Sequence, residues 1–268
     1  MKQVYLTLGA VVRNVEHYVK EWLIFNHLVG VERFVIILHD CQDNTERKIR
    51  ELPFNKDIHV HYYEDFGKNC VSIPIESHKF IHKEYGRFTK WMLHIDSDEF
   101  FFGTKEDFLP NILDRYEDFG GLAAHWLMFG SNDHVLCPSG LSIEAFTHRK
   151  EDRHPSHRGV KSAYQPAKIV NICSSHLQVT DPSTVREHFD PVDMKIWHAP
   201  EPWSYDIVRC NHYYTRSMED WVQRSKNRLS TKMYSMRKEF TASEFAGHLG
   251  GVEDTTILRF ADQIREII

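Results

Sequence analysis

The sequence predicts an α/β protein: a mostly parallel sheet flanked by helices, with a smaller antiparallel element in its second half. Three observations carry this. From residue 4 to about residue 95, β-favouring runs alternate with stretches of helical spacing, strand to helix and back, until a fourth strand is reached. The strand runs are dense in Val, Ile and Phe, as strands covered on both faces must be. The fourth run, Trp91–Ile95, breaks off at Asp96, Asp98 and Glu99, and in open α/β sheets ligands bind beyond the carboxyl ends of strands.

Val4–Val12 is the first strand. Asn14 is expected to cap a helix in which Val15, Tyr18, Val19, Trp22, Leu23, Leu28 and Val29 recur at helical spacing, with Gly30 suited to the position just past its end. Val31–Leu38 is the second strand, followed by the polar turn Asp40–Thr45 and a short helix, Glu46–Leu52, stopped by Pro53. Ile58–Tyr63 reads as the third strand and Ile75–Tyr85 as a helix ending at Gly86. Glu106–Tyr116 is helical, and Gly121–Phe129 is an apolar strand entering the turn Gly130–Asp133. Leu141–Phe146 and Lys168–Ile172 are expected to be strands, partly antiparallel. The mixed-charge segment His148–Gly159 has the character of a flap or an exposed connection. Pro182, Pro191, Pro200 and Pro202 exclude long regular structure between Asp181 and Trp203. Val208–Tyr214 is a short strand, and Met218–Phe240 a long amphipathic helix with Trp221, Met233 and Met236 as packing residues. No linker interrupts the chain, so one domain spanning 1–268 is expected, with halves 1–103 and 104–268.

With 268 residues, 41% of them hydrophobic, the chain can bury a sizeable core. A net charge of −5 argues against a protein that coats nucleic acid through Lys and Arg. The five cysteines include no CxxC pair, so neither a zinc knuckle nor a disulfide scaffold is expected. The N-terminal apolar run is only nine residues long and lacks a small-residue cleavage site; no run reaches 18 apolar residues. A soluble, cytoplasmic protein follows as the expectation, able to rest peripherally on a membrane at the inner face of the cell membrane. Neither GxGxxG after the first strand nor GxxxxGK[ST] is present, which removes the common dinucleotide and P-loop fingerprints.

Three carboxylates within four residues repel one another, so a cation or a proton must offset them. Asp96 and Asp98 are accordingly read as part of a divalent metal site holding a phosphorylated donor, the competing reading being an acidic turn. His212, at the end of an apolar strand, is the candidate third metal ligand or diphosphate donor, with His176 as competitor among 18 histidines. Arg216 can meet a diphosphate through bidentate contact. Arg13, at the mouth of the first strand, can contact base or phosphate, and Asp40 can accept from a base imide. Asp43 is the weaker candidate, because turn acids commonly bond to backbone. Trp126 and Phe129 with Ser131 and Asn132 form a candidate ligand surface, an aromatic face for an apolar one and polar groups for hydroxyls.

Four segments together resemble glycosyltransferases of the GT-A fold, and more narrowly the family 2-like and family 92-like glycosyl transferases. Arg13-Asn14-Val15-Glu16 followed by Glu21-Trp22-Leu23 is similar to their "RNE…EW" opening, with Val15 where a glutamate is usual. Asp40–Thr45 is similar to their acidic turn, Trp91–Phe100 to their DxDEF block, and Asn211–Ser217 to their HYYxKS segment. The resemblance implies the Rossmann-like nucleotide-diphospho-sugar transferase fold, with residues 1–103 as nucleotide-binding half and 104–268 as acceptor-side half.

It also implies transfer of a sugar from a nucleotide donor, UDP-sugar by preference, to a glycan or lipid-linked glycan acceptor in cell-surface polysaccharide synthesis. Mn²⁺ or Mg²⁺ dependence and inversion are part of that picture. Asp98 would ligate the metal directly and Asp96 would reach ribose or a metal-bound water, while Glu99 braces the turn, against an arginine. The family pattern points to Asp254 as catalytic base, with Glu253 as runner-up; helix capping is the competing role for Asp254. Two alternatives stay open: a nucleotide-sugar-binding protein without turnover, and a nucleotidyltransferase or donor-sugar hydrolase on the same kind of sheet.

Overall fold

The computed structural model describes residues 1–63, 72–192, 201–229, 242–247 and 250–268. The first half follows the expected alternation: β1 (Val4–Val12), α1 (Val19–Leu28), β2 (Arg33–Leu38), α2 (Thr45–Arg50), β3 (Ile58–Tyr62), α3 (Ile73–Tyr85) and β4 (Thr89–His94). After a tight turn come β5 (Glu99–Gly103), α4 (Leu109–Leu113) and β6 (Gly121–Met128). Then follow α5 (Ser142–Ala145), β7 (His148–Arg149), β8 (Val160–Tyr164), β9 (Ile169–Asn171), β10 (Val179–Thr180) and β11 (Thr184–Val185). The chain closes through β12 (Val208–His212), α6 (Met218–Leu229), α7 (Ala242–Gly247), β13 (Val252–Glu253) and α8 (Ala261–Ile267).

Among the described residues one nine-stranded sheet dominates, in the order β3-β2-β1-β4-β8-β6-β12-β5 with β11 beside β6. β1 to β4 run parallel. β8 is antiparallel to both β4 and β6, so β6, β11 and β12 share the direction of the first four strands, and only β5 and β8 oppose it. Two small antiparallel pairs, β9 with β10 and β7 with β13, complete the second half. The sheet takes strands from both halves of the chain.

Side-chain alternation explains the continuous apolar runs. Phe34, Ile36 and Leu38 of β2, with Trp91 and Leu93 of β4, enter the large core shared with α1. Val35 and Ile37, with Met92, enter a second core under Ile81 and Tyr85 of α3. Both faces are therefore covered, and a polar side chain on a strand is costly unless it finds a partner.

The β4–β5 connection dictates the shape. Three strands separate β4 from β5 in the sheet order, a distance of about 19 Å if the sheet were flat. Yet the chain turns back at once, the Glu99 N–H donating to the Asp96 carbonyl at 3.0 Å. The sheet must curl until its far edge returns to the end of β4, and the turn Asp96–Glu99 ends up inside the curl, faced by β8, β6 and β12.

Several elements differ from expectation. Leu141–Phe146 is no strand: Ser142–Ala145 is a helical turn because the buried Glu21 carboxylate of α1 accepts the Ser142 and Ile143 N–H groups at 2.8 and 2.9 Å. Asn14 does not cap α1, which begins at Val19; its side chain accepts from Gln42 N–H at 2.8 Å, its own backbone left-handed at φ 49°. β8 was not anticipated at all. The segment 148–159 is anchored rather than free, β7 pairing with β13 and His157 being buried. The late-helix residues Met233 and Met236 lie outside the described residues.

Candidate functional site

Because seven strands point one way, their carboxyl ends gather the predicted residues on one rim of the sheet. Arg13 and Asp40 leave β1 and β2, Asp96 and Asp98 leave β4, and His212 and Arg216 end and follow β12. The resemblance segments are tied to one another directly. The Trp22 indole N–H donates to the Glu99 carbonyl at 2.8 Å, and Tyr213 N–H donates to the Asp98 carbonyl at 2.8 Å. Arg216 donates to the Ser97 carbonyl at 2.7 Å while its guanidinium lies 3.8 Å above the Tyr18 ring.

Each acid of the turn is met by a cation of the protein. Asp98 is buried; its Oδ2 accepts from Arg224 at 2.6 Å and stands 3.5 Å from His212 Nε2. Burial alone would raise its pKa, but Arg224 and then His212 hold it well below the ordinary carboxylate range. Lys161 of β8, fully buried, reaches Asp96 at 3.0 Å and Glu99 at 3.1 Å. Burial opposes its charge, and Asp96 and Glu99 more than restore it, leaving its pKa above the usual lysine value. Glu99 braces the turn as expected, accepting Asp96 N–H at 2.9 Å, but its partner is a lysine and not an arginine. Burial outweighs Lys161 there and pushes the Glu99 pKa up to about 7.

Beside the turn lies a cavity of about 190 Å³ lined by Arg13, Tyr18, Ser97, Asp98, Arg216 and Arg224 among others. Through Asn14, His17, Asp220 and Gln223 it adjoins a cavity of about 690 Å³ that adds Glu16, Gln42, Asp43 and Glu219. Two further cavities, of about 650 and 920 Å³, sit at the opposite, amino ends of the strands, around Tyr5 and Glu32, away from this chemistry.

The turn does not present a formed metal site. Among the described residues, the group of three metal-capable side chains whose ligand atoms lie within 4.8 Å of one another is Glu187, His188 and Asp206; Asp96, Asp98 and His212 are not so gathered. Glu187 there is already occupied, accepting from the N–H groups of Asp206, Ile207 and Val208. A divalent ion placed about 4 Å from the Arg224 guanidinium would meet repulsion of about 8 kcal/mol at an effective dielectric of about 20. The residues as arranged do not fit the expected Mn²⁺ or Mg²⁺.

Other assignments shift as well. Arg13 and Asp40 pair with each other at 2.6 Å. Asp43 holds its loop, accepting from Glu16 and Thr45 N–H groups at 3.0 Å each. Trp126 is not an open sugar platform: its ring packs on His212 at 4.6 Å and His176 at 5.3 Å. His176 is kept neutral by burial, its pKa pushed down to about 3. Ser131 is fully buried, and Asn132 clamps His148 through bonds of 2.7 and 2.9 Å, so neither faces a sugar.

Asp254 accepts from Arg149 and Arg209 at 2.7 Å each, and burial is overcome by Arg209 so that its pKa lies well below the ordinary range. Arg209 lies three residues before His212 and therefore on the opposite face of β12. A carboxylate so paired is an anchor, not a proton acceptor near neutral pH. Glu253 is exposed on β13 opposite His148.

Lys161 and Arg224 were missed by sequence reasoning. Lys161 sits in Val160–Tyr164, where Val-Lys-Ser-Ala-Tyr shows no apolar–polar alternation and a lysine reads as solvent-facing. Arg224 carries no signal, being one cation among several on a polar helix.

No family model matches the chain, and no curated protein matches it. Solved structures resemble parts of it. Staphylococcus aureus TarS residues 1–349, in complex with UDP, aligns at TM-score 0.39 and 13% identity over 61% of this chain and 47% of that one. Mycobacterium tuberculosis glucosyl-3-phosphoglycerate synthase, with Mn²⁺, UDP and phosphoglyceric acid, aligns at 0.32 and 14% over 46% and 43%. A Bacillus anthracis glucose-1-phosphate thymidylyltransferase aligns at 0.36 and 9% over 60% and 72%. The chain thus spans less than half the length of the first two, and similarity at this level assigns no residue a role.

Proposed function

We propose that this chain is a GT-A-type glycosyltransferase, moving a sugar from a nucleoside-diphosphate donor to a glycan hydroxyl. One observation carries the reading: Arg13, Arg216 and Arg224 line one cavity with Asp98 at the carboxyl ends of parallel strands. Guanidinium groups bind phosphate oxygens bidentately, which suits the diphosphate of a donor and its leaving group. Asp96, with a carboxylate more than half exposed, is placed to accept from ribose hydroxyls. The adjoining larger cavity, with Gln42, Asp43 and Glu219, offers the polar lining that sugar hydroxyls need. A UDP-sugar is the proposed donor and a lipid-linked or free glycan the proposed acceptor. Inversion would require an acceptor-side base other than Asp254.

The second reading, donor binding without turnover, gains from the ion-paired state of Asp254, the acid put forward ahead of Glu253 as base. The two are separated by supplying UDP-sugars with a panel of glycan acceptors and measuring released UDP. Acceptor-dependent release supports the transferase. Saturable donor binding with no release supports the binding protein. Pyrophosphate from a nucleoside triphosphate and sugar phosphate would overturn both.

A further inference from the structure

The mismatch between the acids and a metal has a chemical counterpart. We propose that Arg224 and Arg216 supply the countercharge a divalent cation would otherwise bring, so that this chain holds a nucleoside diphosphate without metal. The proposal rests on the site being a nucleoside-diphosphate site, as argued above, and goes beyond it in naming how the charge is balanced.

Four observations lead there. Asp98, the acid placed to take a metal, has its Oδ2 2.6 Å from Arg224 and 3.5 Å from His212. Asp96 is bound by Lys161 at 3.0 Å, so both acids of the turn already carry protein cations. Arg216 is only 6% exposed and its Nε has no hydrogen-bond partner, although the group lines the cavity. A buried guanidinium donor left unsatisfied is costly, and an anion entering the cavity would relieve it. Finally, a cavity of about 190 Å³ is too small for a whole nucleotide-sugar but suits its phosphate end, with the larger adjoining cavity open to the remainder.

Arg216 is held for this task before any ligand arrives. Its guanidinium sits over the Tyr18 ring and donates one N–H to the Ser97 carbonyl, which hold it in place and leave Nε uncommitted. Arg224 donates to the Tyr214 carbonyl at 2.6 Å through Nη1, so only the Nη2 bond to Asp98 must be exchanged or shared when phosphate oxygens enter.

Calorimetry of UDP, GDP and ADP with the full chain, in excess EDTA and in excess Mn²⁺, tests this. For the nucleotide that binds, affinity should agree within about twofold between the two conditions. Arg224→Gln should weaken binding in EDTA at least about tenfold, the loss expected of a charge-assisted bond. Arg224→Lys, which keeps the charge, should retain most of the affinity and guards against a folding artefact. Asp98→Asn separates the two chemistries most sharply: under the proposal binding in EDTA is kept or improved, because Arg224 is released toward phosphate. Affinity that appears only with Mn²⁺ and vanishes with Asp98→Asn overturns the proposal and leaves the transferase reading standing. Absence of binding to all three nucleotides in both conditions overturns the diphosphate reading and the proposal with it.

Discussion

Asp254 shows how much a residue's role depends on neighbours remote in sequence. Read locally, an acid before Thr255 and Thr256 is either a helix cap or a base, and its Oδ1 does accept the Thr256 N–H at 3.1 Å. What decides the matter is Arg149 and Arg209, 105 and 45 residues away. Asp254→Asn should cost about 3 kcal/mol of stability, since Arg209 is then buried without its countercharge. The folded pKa lies below the unfolded one, so this contribution is present above about pH 4 and is lost as pH falls below it. Urea midpoints measured from pH 6 down to pH 3 should therefore fall more steeply for the native chain than for the variant. Parallel profiles would mean that the ion pairs contribute nothing. The same remoteness explains what could be read of the turn. Asp96 and Asp98 were legible because an apolar run stops at them. Their partners, Lys161 and Arg224, lie 65 and 126 residues away and no spacing rule connects them.

At the scale of elements, strands and helices with one dominant period were legible, whereas those set by tertiary partners were not. β1 has the predicted bounds because nine uncharged residues, rich in Val and Leu, follow one another before Arg13. α5 escaped notice since the four residues Ser142–Ala145 are too few to show helical spacing, and the turn is set by Glu21 arriving from α1 to meet its N–H groups. β8 escaped because one of its five residues is a lysine. Gly30 was read correctly as the residue after a helix end, and its φ of 105° gives the reason. A Cβ at Gly30 would stand 2.7 Å from both Phe108 and Pro110, so space and backbone both forbid it. Gly30→Ala should lower stability by more than about 1 kcal/mol, through strain at the α1–β2 connection. An unchanged denaturation midpoint would show that the connection can relax, which neither the dihedral nor the contacts allow for.

For the whole molecule, curling of the sheet is what turns a linear motif into a site. A flat sheet would leave Asp96 and Asp98 far from β12; the curl brings Lys161, His212 and Arg216 around them and buries Glu99 completely. That burial has a thermodynamic signature. Glu99 has a folded pKa pushed up to about 7, above its ordinary value near 4.5, so the folded state holds the proton more tightly than the unfolded chain does. The stabilisation is complete below about pH 4.5 and is lost as pH rises through 7, by about 3 kcal/mol at most. Asp98 and Asp254, with folded pKa values depressed by their arginines, act in the opposite sense and lose stability on acidification. The histidines His78, His94, His125, His157 and His176, held neutral in the fold by burial, act in that same sense, their contribution rising with pH toward the ordinary histidine value of about 6.5, so the Glu99 loss is read as a difference between the native chain and a variant. Glu99→Gln, which keeps an acceptor for the Asp96 N–H and removes the titration, should gain stability steadily relative to the native chain from pH 5 to pH 8 and leave the acid limb in place. If the two profiles instead run parallel from pH 5 to pH 8, Lys161 outweighs burial and holds Glu99 ionised. The turn would then carry three full negative charges, and its demand for cations would be greater by one.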